Sequence, residues 1–234
     1  MDSQPFAIVT GVGPGTGAAI VREYAANGYK VAMIARNADR LDALTQEIPE
    51  SLACPCDVTD TAALQTLIAE LIAAQGAPDA VIHNAVGGAF GDFLDIDPKV
   101  LENNFQVNTM ALLHLARAVA PAMIKAGHGS LIGTGNTAAY RGKAAFAGFA
   151  PSKAAQRILL ESMARRLGPD GIHVAYVAID AVIDLEWTRK RWVDAADDFF
   201  CKPADIASEV YRVANQPKSA WSFDISIRPH GETW

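Results

Sequence analysis

The 234-residue sequence has little of what marks several large protein classes. Its three cysteines cannot all pair, and Cys54 and Cys56 lack the second Cys or His pair of a zinc site. The formal net charge of −6 gives no electrostatic reason to bind nucleic acid or an anionic membrane. No run approaches the ~18 apolar residues of a membrane span. The first strand-like segment starts at Phe6, too early for a signal peptide. We therefore expect a soluble cytoplasmic protein with reduced thiols and no metal.

What the sequence does contain is an alternation of short apolar runs with longer amphipathic segments. Strands are predicted over Phe6–Thr10, Lys30–Ala35, Leu52–Cys56, Ala80–Asn84, Ser130–Thr134, Ile172–Ile179 and Phe223–Ile227. Helices are predicted over Gly17–Asn27, Ala38–Glu47, Thr61–Ala74, Pro98–Ala126, Ser152–Leu167 and Pro203–Asn215. Such alternation indicates βαβ units and a parallel sheet with helices on both faces. We expect one Rossmann-like, doubly wound α/β domain over residues 1–234.

A glycine-rich segment, Thr10-Gly-Val-Gly-Pro-Gly-Thr-Gly17, joins the first predicted strand to the first predicted helix. Gly11 permits a tight turn, Gly15 lets the backbone approach a pyrophosphate, and Gly17 lets the helix pack closely on the sheet. The N–H groups at the helix start, from Thr16 onward, would face the phosphates. A glycine turn without a ligand is the alternative, but its place between strand and helix favours dinucleotide binding.

The end of the second predicted strand indicates which dinucleotide is bound. Proteins that prefer NAD usually carry an acidic residue there, which binds the ribose 2′-hydroxyl. This chain has Ile34-Ala-Arg-Asn37 instead, and the guanidinium of Arg36 suits a 2′-phosphate. Arg40 lies one helical turn further on. Arg36 could merely decorate a helix start, although cations are disfavoured there. The sequence thus favours NADP over NAD.

A later segment, Phe149-Ala-Pro-Ser-Lys153, completes a resemblance that extends to about Ile227. With the glycine turn, it resembles the short-chain dehydrogenase/reductase family, whose marks are a Thr-Gly-x-x-x-Gly-x-Gly turn and a Tyr-x-x-x-Lys pair. The resemblance implies a Rossmann-like fold and an oxidoreductase activity that uses a nicotinamide cofactor. It also implies further cofactor contacts: the adenine at Asp57 and Val58, the adenosine ribose at Asn84 and Ala85, and the nicotinamide amide near Val182.

The resemblance fails at two of the family's four working residues. Asn108 matches the family's Asn and Lys153 its Lys, but Asn136 stands at the Ser and Phe149 at the Tyr. In the family, the Tyr protonates the substrate carbonyl as hydride arrives. The Lys lowers the pKa of that Tyr and holds the nicotinamide ribose, and the Ser orients the carbonyl. Phe149 has no proton to give, and losing a positioned acid typically costs about 10²–10⁴ in rate.

Other residues keep two interpretations. Lys153 could be a solvated helix lysine, but a ribose ligand is favoured. Asn136 could equally be a turn residue or an amide donor to a carbonyl. Asp180 and Asp184 follow the sixth predicted strand, where open sheets place their sites, yet solvated loop acids are favoured. The segment from Trp221 to the end lacks the family's glycine-rich finish.

Two function classes follow. The first is an NADP-dependent oxidoreductase with an atypical site, whose proton comes from Lys153, water or an acid such as Asp184. The second is a cofactor-binding pseudoenzyme that serves as a sensor or a subunit. The small-molecule substrate is not indicated. By resemblance, we expect a homodimer or homotetramer that pairs the helices Pro98–Ala126 and Ser152–Leu167, the second of which is apolar on more than one face.

Overall fold

The structure, a computed structural model, describes residues 4–231. Its strands are β1 (Phe6–Thr10), β2 (Lys30–Ala35), β3 (Ser51–Pro55), β4 (Ala80–His83), β5 (Gly129–Gly135), β6 (Ile172–Ile179), β7 (Val182–Ile183), β8 (Phe200–Cys201) and β9 (Asp224–Ile227). Its helices are α1 (Thr16–Ala26), α2 (Ala38–Glu47), α3 (Thr61–Gln75), α4 (Pro98–Phe105), a π-helix (Gln106–Met110), α5 (Ala111–Ala126), α6 (Ala150–Leu167), α7 (Glu186–Arg191) and α8 (Pro203–Ala214).

Seven parallel strands form one sheet in the order β3-β2-β1-β4-β5-β6-β9. The direction of winding reverses between β1 and β4. In open α/β sheets the carboxyl ends of the strands separate at such a reversal and leave a crevice for a ligand. The predicted doubly wound, Rossmann-like fold is confirmed.

The strands are apolar along their length because helices cover both faces of the sheet. In β1, Phe6 and Ile8 belong to the core shared with α3, α5 and α6, whereas Ala7 and Val9 belong to the core shared with α1, α2 and α8. Successive strand residues point to opposite faces, so a strand covered on both sides has no polar alternation. This is the pattern from which the parallel sheet was predicted.

The main departure from the predicted elements lies between Pro98 and Ala126. One unbroken helix is expected there, but a π-helical turn over Gln106–Met110 separates α4 from α5. Hydrophobic periodicity does not reveal one extra residue in a turn, and such turns occur often at functional sites. The predicted third strand, Leu52–Cys56, lies one residue earlier. The short elements β7, α7 and β8 were not predicted.

The helical stretch from Pro98 to Ala126 is long and apolar enough to cross a membrane by length and composition alone, contrary to the expectation that no segment would be. In the fold, Leu112, Leu115 and Val119 of this stretch are buried in the core beside the sheet. A core helix satisfies the same test of length and composition.

The C-terminal segment returns to the sheet as β9, the edge strand beside β6. Before it, the indole of Trp221 stacks on the buried His173 ring, with centroids 4.9 Å apart, and donates from Nε1 to the Gln216 carbonyl at 3.1 Å. This part of the tail therefore anchors the end of the sheet. Residues 232–234 of the tail lie outside the described residues.

A packing constraint at the end of β5 gives a test of the fold. A methyl group on Gly135 would overlap the phenol of Tyr176, which crosses from β6. We expect Gly135→Ala to lower the free energy of unfolding by about 1–3 kcal/mol, as overpacking of a filled core does. Urea denaturation measures this change. Gly142→Ala is the control, since nothing lies within 4 Å of its added methyl. An unchanged midpoint for Gly135→Ala would contradict this packing.

Candidate cofactor cleft and catalytic cavity

A cleft of about 1380 Å³ opens at the carboxyl edge of the sheet, at the reversal between β1 and β4. Its walls come from the segments that follow β1, β2, β3 and β4, from the α4–π-helix region, and from the segment after β6. A smaller cavity of about 160 Å³ adjoins it. The two share Thr16, Asn84, Val86 and Ile183 in their walls, so they lie side by side.

The glycine turn forms the floor of the cleft, and two of its positions admit only glycine. Gly11 has φ of 72°, in the left-handed region, and a methyl there would overlap the backbone of Ala85 after β4. A methyl on Gly17 would lie 2.8 Å from the Cα of Val12. The first turn of α1 therefore packs directly on the strand end, as the sequence predicted.

The start of α1 fits a diphosphate. The hydroxyl of Thr16 is buried without a hydrogen-bond partner, and Thr16 lines both the cleft and the small cavity. Gly15, the N-cap residue, has no side chain to satisfy the first N–H groups, and the first turn holds no acidic residue. A buried unpaired hydroxyl beside open helix N–H groups is the donor set that a phosphate oxygen requires.

The residues expected around the adenosine half line the cleft. Arg36 and Arg40 are exposed at the end of β2, where Asn37 caps α2 by accepting from the Arg40 N–H at 2.8 Å. Asp57 accepts from the Thr59 backbone N–H at 2.9 Å and from its hydroxyl at 2.8 Å. These bonds, and then nearby Arg36, hold the pKa of Asp57 below its usual value.

On the floor below, Val58 and Ala85 are buried, and both line the cleft. Asn84 connects three strand ends. Its Nδ2 donates to the Gly11 carbonyl at 2.9 Å, and its Oδ1 accepts from the Thr134 hydroxyl at 2.9 Å. Its side chain therefore fixes the glycine turn against β5, in addition to lining the cleft.

Lys153 reaches the small cavity from the first turn of α6. Its side chain is 2% exposed, and Nζ donates to the Thr134 carbonyl at 3.2 Å. Burial lowers the pKa of Lys153 to about 7. It is the one ionisable side chain among the described residues that line this cavity. Because Lys153 is buried, the interpretation that it is a solvated lysine on a helix surface is wrong. Its Nζ is instead a titratable group at the site.

Asn108 lies in the π-helix and is fully buried behind the cavity. Its side chain accepts from the Gly87 N–H at 2.9 Å and donates to the Gly87 carbonyl at 2.8 Å and to the Ser152 hydroxyl at 2.9 Å. Asn108 therefore connects the segment after β4 to the residue that precedes Lys153. Its side chain lines neither the cleft nor the cavity.

His83, the last residue of β4, is a positioning residue that sequence reasoning missed. Its Nε2 lies 3.1 Å from the Val107 carbonyl, and its Nδ1 lies 3.0 Å from the Thr10 hydroxyl. A carbonyl only accepts, so Nε2 carries the proton and Nδ1 accepts from Thr10. Burial, and then Lys153, lower the pKa of His83 to about 3. A neutral imidazole thus ties the π-helix to β1 and β4.

The two substituted family positions differ in where they lie. Asn136 lines the cavity beside Lys153, and its Oδ1 accepts from the Ala138 N–H at 3.1 Å, which caps a short 3₁₀ turn. It is both the turn residue and a cavity amide. Phe149 lines neither the cleft nor the cavity. It packs in a buried apolar cluster with Ala138 and Phe146, and its ring lies against Gly88.

The segment after β6 differs in part from what the sequence indicated. Its alternate residues Ala181, Ile183 and Leu185 line the site, and Val182, expected near the nicotinamide amide, lies between them. Asp180 accepts from the Thr137 hydroxyl at 2.6 Å, with its side chain only 13% exposed, so it is no solvated loop acid.

Asp184 has a partner as well. Its Oδ1 lies 2.7 Å from Nε of Arg189, and this hydrogen-bonded ion pair keeps the pKa of Asp184 below its usual value. Neither Asp180 nor Asp184 lines the cleft or the cavity. Asp184 is thus held as a carboxylate away from the site, which removes it as a proton donor.

Leu185 is a second residue that sequence reasoning missed. A methyl built on Gly15 would lie 2.6 Å from its Cδ2, so the leucine side chain covers the middle of the glycine turn. Trp187, on α7, lines the same side of the cleft and is exposed. This contact joins positions 170 residues apart, and Leu185 itself belongs to no motif, so nothing in the sequence indicated the contact.

The reversal of the sheet, the glycine turn and the helix start with its unpaired hydroxyl together define a Rossmann-like dinucleotide-binding protein. A sequence model described as short chain dehydrogenase matches residues 5–190. The chain belongs to this family of oxidoreductases, which bind NAD(P).

Individual relatives are similar over most of their length. The chain is 32% identical over 227 residues to the 7alpha-hydroxysteroid dehydrogenase of Escherichia coli strain K12, covering 92% of this chain and 88% of the relative. It is 31% identical over 183 residues to the sorbitol dehydrogenase of Cereibacter sphaeroides, covering 77% and 72%. A solved metagenomic short-chain oxidoreductase in complex with NADP has a TM-score of 0.85 and 30% identity, covering 98% of this chain and 99% of that one.

The buried Lys153 gives a prediction on titration. With ¹³C-labelled lysine, we expect one Cε resonance to titrate near pH 7, because burial favours the neutral amine. Since the unfolded chain then binds the extra proton between about pH 7 and 10.5, the free energy of unfolding should rise with pH across that window. Lys153→Met should lose both the resonance and this part of the rise. A lysine that titrates only above pH 10 would contradict the burial.

Proposed function

We propose that the protein is an NADP(H)-dependent oxidoreductase that reduces a carbonyl or related group of a small molecule, with Lys153 in place of the family's tyrosine as proton donor. The observation that supports the proposal is that the two spaces adjoin. The cleft over the glycine turn shares Thr16, Asn84, Val86 and Ile183 with the cavity that Lys153 lines. In this proposal, a cofactor bound along the cleft directs its nicotinamide toward Nζ.

The cofactor contacts of this proposal come from residues already in the cleft. Thr16 and the first N–H groups of α1 bind the diphosphate, and Asp57, Val58 and Ala85 line the adenosine half. Arg36 and Arg40 approach the ribose 2′-position, where their charge favours a phosphate. The NADP complex of the metagenomic relative supports this preference. When bound, NADPH supplies a hydride to the substrate.

The proton is assigned to Lys153 because its competitors are engaged elsewhere. Asp184 is paired with Arg189, and the hydroxyl of Tyr140 is bonded to Asp224. The phenol of Tyr176 donates to the Asn136 carbonyl, and burial raises its pKa. Lys153, with a pKa of about 7, can hold a proton and release it near neutral pH.

The transfer balances in the reductive direction. As hydride reaches the substrate carbon, Nζ of Lys153 gives its proton to the adjoining oxygen or nitrogen. The amine left behind is neutral, which its buried position favours, and water reprotonates it before the next turnover. The Asn136 amide, on the same cavity wall, is placed to polarise the group that is being reduced.

A cofactor-binding pseudoenzyme is the alternative, and the position of Phe149 favours it. The residue at the tyrosine position is packed among Ala138, Ala150 and Phe146 as a core side chain, without a polar group. In this role the protein would bind NADP(H) as a sensor or subunit and turn over no substrate.

We also propose that the chain forms a homodimer or homotetramer. The contact would use the helical stretch from α4 to α5 and the helix α6, which correspond to the two helices expected to pair. The resemblance to the family carries this proposal, and Ile158, on α6, is a large aliphatic side chain that is 56% exposed. A second copy covering this face would bury it.

The cofactor preference depends on Arg36. We expect the protein to bind NADPH more tightly than NADH, and Arg36→Ala to weaken NADPH binding by about 1.5–3 kcal/mol with little effect on NADH. Isothermal titration calorimetry measures both. The control is Arg22→Ala, which removes an exposed guanidinium that pairs with Glu47 outside the cleft. Equal affinities for the two cofactors in the wild type would sink the assignment.

Restoring the tyrosine alone should yield little activity. Phe149 packs away from the cavity wall, so we expect Phe149→Tyr to change steady-state NADPH oxidation on a panel of carbonyls, imines and activated alkenes by less than about tenfold. Asn136→Ser with Phe149→Tyr should gain more than the two single changes combined, because groups that act together are non-additive.

The same panel separates the two function classes. Lys153→Met should abolish wild-type turnover while NADPH still binds in the calorimeter. A large gain from Phe149→Tyr alone, over an inactive wild type, would instead show an otherwise complete dehydrogenase site and would overturn Lys153 as the donor.

A further inference from the structure

The exposed large apolar side chains of the described residues are concentrated at one edge of the sheet. Four lie on the segment after β4 and two on the segment after β6: Val86, Phe90, Phe93, Leu94, Trp187 and Val193. These two segments border the site from opposite sides of β5. A concentration of exposed apolar side chains marks ligand grooves and interaction sites, whereas single exposed residues do not.

The apolar surface is continuous with the Lys153 cavity. Val86 and Ile183 line that cavity, Val86 from the β4 side and Ile183 from the β6 side. Both also line the larger cleft, which Trp187 borders at 61% exposure. If the reactive group of a bound molecule lies beside Nζ of Lys153, the rest of that molecule therefore extends out of the cavity between apolar side chains.

The β4 side continues outward as an aromatic wall. The Phe90 ring, 70% exposed, lies 5.5 Å from the Phe146 ring, and the Gly91 N–H holds this segment by donating to the Ala145 carbonyl at 2.8 Å. Phe146 packs in turn on Phe149. Phe149, at the tyrosine position, is buried and lies behind this wall as apolar support for Phe146.

The wall presents few groups that could recognise a polar molecule. Asp92 is the only charged residue between Asn84 and Leu94, and it accepts from the Leu94 N–H at 3.0 Å within its own turn. The ammonium of exposed Lys143 lies over the Phe146 ring at 5.5 Å. A polyhydroxylated compound would lose water here and gain no comparable hydrogen bonds.

We propose that the substrate is an apolar, ring-containing compound with a single reactive carbonyl or imine, held between the aromatic wall and the Trp187 side. This deepens the proposed function and rests on it for the reacting group alone. The apolar recognition stands on the exposed wall itself. Burial of each further methylene tightens binding about fourfold.

The test compares three ketones on the protein saturated with NADP⁺, so that binding is measured without turnover. Cyclohexanone, 2-decalone and 1,3-dihydroxyacetone are titrated by NMR. We expect 2-decalone to bind at least about tenfold more tightly than cyclohexanone, and the dihydroxy compound not to bind. Phe90→Ser should weaken 2-decalone selectively. Phe90 is largely exposed, so the variant should keep its fold, which circular dichroism verifies.

Arg22→Ala is the control, because Arg22 is exposed, pairs with Glu47 outside the cleft and the cavity, and should leave ketone binding unchanged. Equal binding of the three ketones, or no effect of Phe90→Ser, overturns the proposal. A third result also overturns it: Phe90→Ser dissociates an oligomer in light scattering, and the wild type shows no preference for 2-decalone. The aromatic wall would then be an interface between copies of the chain. If NADP⁺ fails to bind but 2-decalone still does so through Phe90, the proposed function fails and the apolar site stands.

Discussion

The side chain of Asn84 sets the distance between the two halves of the site. Its amide bonds the Gly11 carbonyl on one side and the Thr134 hydroxyl on the other, so the ends of β1, β4 and β5 are held in register. The backbone carbonyl of Thr134 then accepts a hydrogen bond from Nζ of Lys153. One hydrogen-bonded line thus runs from the glycine turn to the buried lysine. Because each group is buried or partly buried, breaking any link leaves an unpaired polar atom.

This line explains how a lysine remains at the site without its usual tyrosine. No carboxylate of the described residues forms an ion pair with Nζ, and His83, whose pKa Lys153 helps to lower, is kept neutral mainly by its own burial. A charged amine in such surroundings is costly, so the site itself moves Lys153 toward neutral-pH titration. Phe149 packs with Phe146 in a separate apolar cluster and does not line the Lys153 cavity. The pKa of Lys153 is therefore lowered by its own burial.

The sequence was sufficient for features that depend on local pattern. The glycine turn, the alternation of strands and helices, and the strand-end positions of Arg36, Asp57 and Asn84 follow from residue type and spacing. The contacts of His83 and Leu185 do not, because each joins segments that only the folded sheet brings together. The same holds for the direction of Phe149. A register alignment places it at the tyrosine position but does not say which wall its ring packs against.

The contact of Leu185 with Gly15 places one short segment against both parts of the site. The Leu185 side chain lies over the middle of the glycine turn, and two residues earlier Ile183, in the two-stranded β7–β8 ribbon, forms part of the wall of the cavity that Lys153 lines. A shift of Leu185 on the glycine turn would therefore be felt, through this three-residue segment, in the shape of the cavity around Lys153.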